Sequence, residues 1–244
     1  MGTVAEHYER VLSDVYSWMH GGFEVALEGN REFFAERDIR PMNSGRAVDL
    51  GAGCGFQSIP LAELGYSVTA IDLDRKLLDE LEEHADSLPI VTVQDDLMNF
   101  AAHVSGPVEL AVCMVDTLTH LESRQKVTQL FASVADRLEK GGRFIVTYRD
   151  MSQELRELDR FIPVRSDDDT VFTCFLEYEP ATVKVHDLIY RRSGKTWTFH
   201  KGFYRKLRLA KEWVDAELAK AGFADIDSTA DKGFITVVAK TKNA

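Results

Sequence analysis

The chain of 244 residues is 45% hydrophobic and 28% charged, the balance of a globular protein able to bury a sizeable core without staples. Its formal net charge of -11 disfavours generic nucleic-acid binding, because an acidic surface repels a phosphate backbone at long range. Cys54, Cys113 and Cys174 form no CxxC pair or Cys/His cluster, and the scattered His and Asp residues lack ligand spacing, so no metal centre is expected.

The opening MGTVAEHYERVL is charged and has no long apolar run. Neither a signal peptide nor a membrane span is expected there, and a cytoplasmic location fits the cysteine usage. Residues 5–20 and 23–37 carry apolar positions at helical spacing and are parted by Gly21-Gly22, which predicts two amphipathic helices. Arg46–Leu50 reads as a short buried strand, followed by a Gly-rich turn and a helix over about 56–65. Strands follow at 67–71, 89–93, 109–114 and 143–148. Helical segments at 75–86 and 122–138 and a helical or loop segment at 97–104 separate them, the helix at 122–138 expected to cap on Lys140-Gly141-Gly142. This repeated strand–helix alternation predicts an α/β, doubly wound, mostly parallel sheet with its ligand edge at the strand C-termini.

From about 170 the rhythm changes. Thr170–Tyr178, Thr182–Arg191 and Thr196–Leu207 are β-rich and parted by short turns, which predicts an antiparallel β insertion after the fifth strand. A helix at 210–221 and strands at 224–229 and 234–240 complete the chain.

The chemistry concentrates in Val48-Asp49-Leu50-Gly51-Ala52-Gly53-Cys54-Gly55-Phe56, which joins a strand to a helix. Alternate glycines let the backbone approach a ligand, and the helix N-terminus offers N–H groups to a carboxylate. A dinucleotide fingerprint, G-x-G-x-x-G, would need its third glycine at position 56, which is Phe56. Asp72 ends the second strand, 21 residues after Gly51, where a carboxylate can accept both hydroxyls of a ribose. Asp96, just past the third strand, can accept from an adenine amino group, with Leu97 against the ring.

These segments, in this order, resemble class I S-adenosylmethionine-dependent methyltransferases over about residues 44–150. The resemblance implies a seven-stranded Rossmann-like sheet whose last strand is antiparallel, S-adenosylmethionine as cofactor and S-adenosylhomocysteine as product. It implies a cofactor site made of Asp49, Gly51, Ala52, Gly53, Gly55, Phe56, Asp72, Leu73, Asp96, Leu97 and Met114. Asp95, where relatives often carry Gly, is a departure. It further implies an N-terminal helical lid (1–43), a cofactor-binding core (44–163 and 209–244) and a β insertion (164–208) that binds substrate or forms a homodimer.

The methyl acceptor should lie at the end of the fourth strand. His120 is the candidate general base there, against the alternative of a solvated residue in a helix-capping loop. Tyr16, Arg149 and Arg205 are candidate substrate contacts, Arg149 as a clamp on a carboxylate or phosphate. Positions 184–211 are rich in Lys and Arg with only Asp187 opposing, which suggests an anionic substrate, an acidic face of a second subunit, or a solvated strand face. The expected activity is methyl transfer to N or O of a small molecule. A methyltransferase acting on protein or RNA, and a cofactor-binding protein without catalysis, are the alternatives; no membrane partner is expected and nucleic acid is disfavoured.

Overall fold

The structure, a computed structural model, describes residues 4–242; residues 1–3 and 243–244, at the outer ends of the expected lid and core, lie outside the described residues. The N-terminal segment is not one helix. Short α-helices α1 (Val4–His7) and α2 (Tyr16–Met19) flank a π-helical turn at Tyr8–Leu12 and a 3-10 turn at Ser13–Val15. Gly22, at φ +108, then opens α3 (Phe23–Glu36), which buries Leu27 and Phe34.

The core follows as β1 (Arg46–Leu50), α4 (Ser58–Glu63), β2 (Ser67–Asp72), α5 (Arg75–Ala85), β3 (Ile90–Gln94), β4 (Val108–Cys113), α6 (Arg124–Arg137) and β5 (Leu138–Arg149). Next come β6 (Phe161–Ser166), β7 (Thr170–Tyr178), β8 (Thr182–Ser193), β9 (Thr196–Leu207), α7 (Lys211–Lys220), β10 (Phe223–Asp231) and β11 (Phe234–Thr241). Seven strands form one sheet in the order β10-β11-β5-β4-β1-β2-β3. β1 to β5 are mutually parallel, and β11 runs antiparallel to both β5 and β10. The doubly wound seven-stranded architecture expected from the sequence is therefore present.

Period-two alternation puts Val48 and Leu50 on one face with Phe131, Phe144 and Leu218, and Ala47 on the other with Phe34, Leu61 and Ile145. Each large apolar side chain buried this way stabilises the fold by about 1.5–3 kcal/mol. Strand order reverses between β1 and β4, so a crevice opens above their C-terminal ends.

Two further expectations fail. Gly141-Gly142 does not cap α6, which stops at Arg137; both glycines lie inside β5. Val108 pairs with Leu138 but Leu110 with Arg143, so the residues between Leu138 and Arg143 bulge out of the ladder. Gly141 takes φ +72 in that bulge, and the Glu139 carbonyl it exposes accepts the Thr241 hydroxyl at 2.7 Å. The insertion also has four strands rather than three, in the order β6-β7-β8-β9. Its first strand begins at Phe161, ahead of the expected boundary at 164, and Pro163 is tolerated because β6 is an edge.

Candidate active site

β1 delivers the chain into the Gly51–Gly55 turn at the crevice. The N–H groups of Gly51 and Ala52 both donate to the Ile71 carbonyl, at 2.8 and 3.0 Å, which ties the turn to β2. Gly51 takes φ +81, and a Cβ there would collide with Thr117, so only glycine lets the loop after β4 come this close. The Gly53 N–H donates to Asp72 Oδ2 at 2.8 Å, and the Asp74 N–H donates to Asp72 Oδ1 at 2.9 Å. The Asp72 carboxylate is thus fixed at the strand end by two backbone donors, with a second acceptor site left on each oxygen. Burial raises its pKa, against the pull of those hydrogen bonds.

After β3 the two adjacent acids part company. Asp95 accepts from Asn99 Nδ2 (2.9 Å) and bonds His103 (2.7 Å), which holds its pKa below the usual carboxylate range. Asp96 caps the 3-10 turn Leu97–Ala102 by accepting the Met98 N–H at 2.9 Å on Oδ1, and its Oδ2 takes no hydrogen bond among the described residues. Leu73, half exposed, lines the same cavity as this acid, with Leu97 and Met98. An acid with apolar neighbours suits an adenine ring and its amino group.

These residues line a cavity of about 650 Å³. Tyr8 and Tyr16 from the N-terminal segment, His120 from the loop after β4, and Phe203, Tyr204 and Leu207 from β9 complete its wall, with Tyr16 lying over Gly53. The cavity therefore spans the sheet edge, the N-terminal segment and the insertion. The loop after β4 is held in an unusual shape: Val115 and Asp116 both have positive φ, +54 and +72. That conformation costs a non-glycine residue roughly 1–3 kcal/mol and persists only when neighbours enforce it. Here Asp116 Oδ1 accepts the Arg149 N–H at 2.6 Å and Oδ2 accepts Lys206 Nζ at 2.8 Å, both side chains being buried. Burial opposes the charged Asp116, but Lys206 and the Arg149 N–H outweigh it and lower its pKa.

His120 lines the same cavity. Its Nε2 lies 3.4 Å from the Tyr8 hydroxyl, its ring contacts Tyr204, and its Nδ1 has no hydrogen-bond partner among the described residues. Burial, with Lys206 nearby, drives its pKa down to about 3. A group this hard to protonate is a weak general base at neutral pH. His20, whose ring meets Tyr16 and Phe56, is likewise lowered to about 4 by burial, with Arg149 adding to it. Burial raises the phenols of Tyr8, Tyr16 and Tyr204.

Of the residues expected at the cofactor, Gly51, Gly53, Asp72, Leu73, Asp96 and Leu97 line the cavity. The rest stand behind it. Asp49 is buried and accepts the Ser58 hydroxyl at 2.7 Å. Ala52 and Met114 join the apolar clusters of the core. A Cβ on Gly55 would collide with Leu81 of α5, so this glycine serves helix packing. Phe56 stacks on Tyr16 and supports it from below. Among the expected substrate contacts, Tyr16 and Arg205 reach the cavity, whereas the Arg149 side chain is largely exposed beside Asp116.

The basic run is mostly neutralised, contrary to its appearance in sequence. Arg205 pairs with Glu179, Lys184 with Glu177 and Glu179, Arg192 with Asp169, Arg208 with Glu154, and Lys206 with Asp116. Sequence reasoning also passed over Tyr204 and Thr182 as cavity residues. Their signal was available only in part: alternation along β8 and β9 fixes which residues share a face, not which face meets the cavity.

A family model described as a methyltransferase domain matches residues 47–142. Among curated proteins, a Bacillus subtilis (strain 168) protein provisionally named a methyltransferase, YqeM, is 35% identical over 91 residues, covering 37% of this chain and 36% of that one. The first curated relatives are matched over 25% to 48% of their own lengths. Among solved structures, DesVI of Streptomyces venezuelae superposes with a TM-score of 0.76 at 16% identity, covering 95% of this chain and 98% of that one. CalS10 of Micromonospora echinaspora, described as an amino pentose methyltransferase bound to S-adenosylmethionine, gives 0.70 at 14% identity, covering 94% and 96%. Residues 47–142 thus match a methyltransferase domain, and the chain as a whole shares the fold of these solved methyltransferases.

Proposed function

We propose that the protein transfers the methyl group of S-adenosylmethionine to a nitrogen or oxygen of a small molecule. The observation that carries this reading is the composition of the cavity wall. An oriented strand-end acid, a glycine cradle and an acid with apolar neighbours share it with the rings of Tyr8, Tyr16, Phe203, Tyr204 and His120. The fit to the cofactor rests on Asp72, whose oxygens keep acceptor capacity toward the crevice, and on Gly51 and Gly53, which leave its floor open. Asp96 and Leu97 would hold the adenine, and Asp49 would order the turn from behind. S-adenosylmethionine, when bound, supplies a methyl already activated by its sulfonium, so the chain has mainly to align the acceptor and exclude water.

The cavity supports an amine more readily than a hydroxyl. Asp116, between the lining residues Val115 and Thr117, is committed to Lys206 and the Arg149 N–H, and His120 resists protonation. A neutral amine brings its own lone pair; a hydroxyl needs a base to take its proton. Tyr8, Tyr204 and His120 would orient that lone pair. CalS10, an amino pentose methyltransferase, and the overlap of its fold with this chain support the same preference. The acids facing the basic run remove the reason to require an anionic acceptor.

Calorimetry with S-adenosylhomocysteine tests the cofactor site: binding that Asp72→Ala weakens at least tenfold supports the reading, and no binding at millimolar ligand overturns it. Methyl-labelled cofactor then tests the acceptor class. Label appearing in an amine-containing metabolite fraction supports it, whereas label confined to protein or RNA would replace it with a macromolecular substrate.

A further inference from the structure

β7, β8 and β9 present a row of cross-strand partners, Cys174 opposite Asp187 and Asp187 opposite Gly202. Asp187 is fully buried. A lone carboxylate in such a place is costly unless its oxygens find donors. One donor is the Cys174 thiol, at 3.0 Å from Oδ1. The other comes from the opposite end of the sequence: His7 Nε2 lies 2.7 Å from Oδ2, and this imidazole is buried too.

Gly202 makes the space. It has ordinary strand backbone, yet a Cβ built on it would sit 2.6 Å from His7 Nδ1 and 2.7 Å from Cε1. The missing side chain is therefore the seat of the imidazole ring, beside the acid that binds it. The Tyr204 ring, at 4.8 Å, closes a further side. The N-terminal segment is hooked a second time where the Ser13 hydroxyl donates to Asp74 Oδ2 at 2.5 Å, at the cavity wall. Between the two hooks lies the π-helical turn Tyr8–Leu12. Its wider winding changes the direction in which Tyr8 points relative to an α-helical continuation of α1.

We propose that His7 is a positioning residue: seated between Asp187 and Gly202, it fixes the N-terminal strap so that the adjacent Tyr8 stands in the cavity wall beside His120. This rests on the proposed function only in that Tyr8 matters to the reaction if the cavity is the active site. The seat itself is independent of it. His7 acts through Tyr8 and touches no reacting atom.

Gly202→Ala is the direct test, because it fills the seat without removing either His7 or Asp187. Amide hydrogen exchange across residues 8–15 should accelerate about tenfold or more, while amides of β8 at 183–190 keep their protection. 3-Fluorotyrosine placed at position 8 reports the same event: its fluorine resonance should move to a solvent-exposed value in Gly202→Ala. In a His7→Ala background, Gly202→Ala should add nothing further, since the ring it displaces is gone. S-adenosylhomocysteine binding to the wild type, measured alongside, keeps a failure of the cofactor reading separate. Unchanged exchange and an unmoved fluorine resonance in Gly202→Ala would overturn the proposal. So would equal acceleration in β8, which would show a damaged sheet, or full additivity with His7→Ala.

Discussion

Lys206 reaches from β9 to Asp116, in the left-handed turn after β4, with 2.8 Å between Nζ and Oδ2 and both side chains buried. The pair joins the insertion to the loop after β4. Removing Lys206 leaves a buried, uncompensated charge, so Lys206→Met should cost about 3–5 kcal/mol at neutral pH. Adding Asp116→Asn should recover much of that loss. The lowered pKa of Asp116 fixes the sign. Its charged form stabilises above the ordinary carboxylate range, and the contribution fades as pH falls through the lowered value. The defect of the single variant should accordingly shrink toward about pH 3, where a stranded carboxylate is neutral. Urea melts of the three proteins across pH check this; a pH-independent defect would refute it.

The glycines of the turn should separate by function. Gly51→Ala drives a Cβ into Thr117 from a backbone at φ +81, and should weaken S-adenosylhomocysteine binding at least tenfold. Gly55→Ala drives a Cβ into Leu81 and should cost about 1–3 kcal/mol of stability by overpacking, plus backbone strain. The affinity of its folded fraction should change little. Calorimetry and denaturation of both variants decide the matter, and equal losses of affinity would contradict the assignment.

Asp49 bears on stability with the opposite sign to Asp116. Burial raises its pKa to about 7, while the Ser58 hydroxyl pulls the other way. Its ionisation therefore destabilises the fold: the penalty is absent below the ordinary value of 3.8, grows through the window up to about 7, and is complete above it. Asp49→Asn should raise Tm by several degrees at pH 8 and by little at pH 4. A gain that is the same at both pH values would rule this out.

His20 and His120 should remain neutral across the physiological range, with pKa values of about 4 and about 3. Two-dimensional NMR of the imidazole nitrogens should show no titration of either ring between pH 5 and 8 in the unliganded protein. A midpoint near the ordinary value of 6.5 for His120 would restore it as a general base.

Much of the core was legible because it rests on local rules. A strand, an alternating-glycine turn and a strand-end acid each leave a mark in a few consecutive residues, and Gly51, Asp72 and Asp96 stand where those marks place them. What was not legible depends on residues far apart. Gly141-Gly142 fits a helix end as well as a bulge, and the choice is made by the pairing of β5 with β4 and by Thr241. Pro163 hides β6, because nothing local says that a strand lies at an edge. The glycine turn was readable, but not which side of it faces the crevice; hence Asp49, Gly55 and Phe56 fell behind the wall. The basic run looked unopposed because Glu179 and Asp116, its partners, belong to other segments.

Leu12 and Val15 share an apolar cluster with Phe172, Val183, Val185 and Tyr204 of the insertion. The two stretches are separated by most of the sequence, yet each covers the other. A graft carrying residues 161–207 alone into a related scaffold would leave that cluster half uncovered and the His7 seat empty. The two segments fold as one unit, so a change made in either should be designed together with the other.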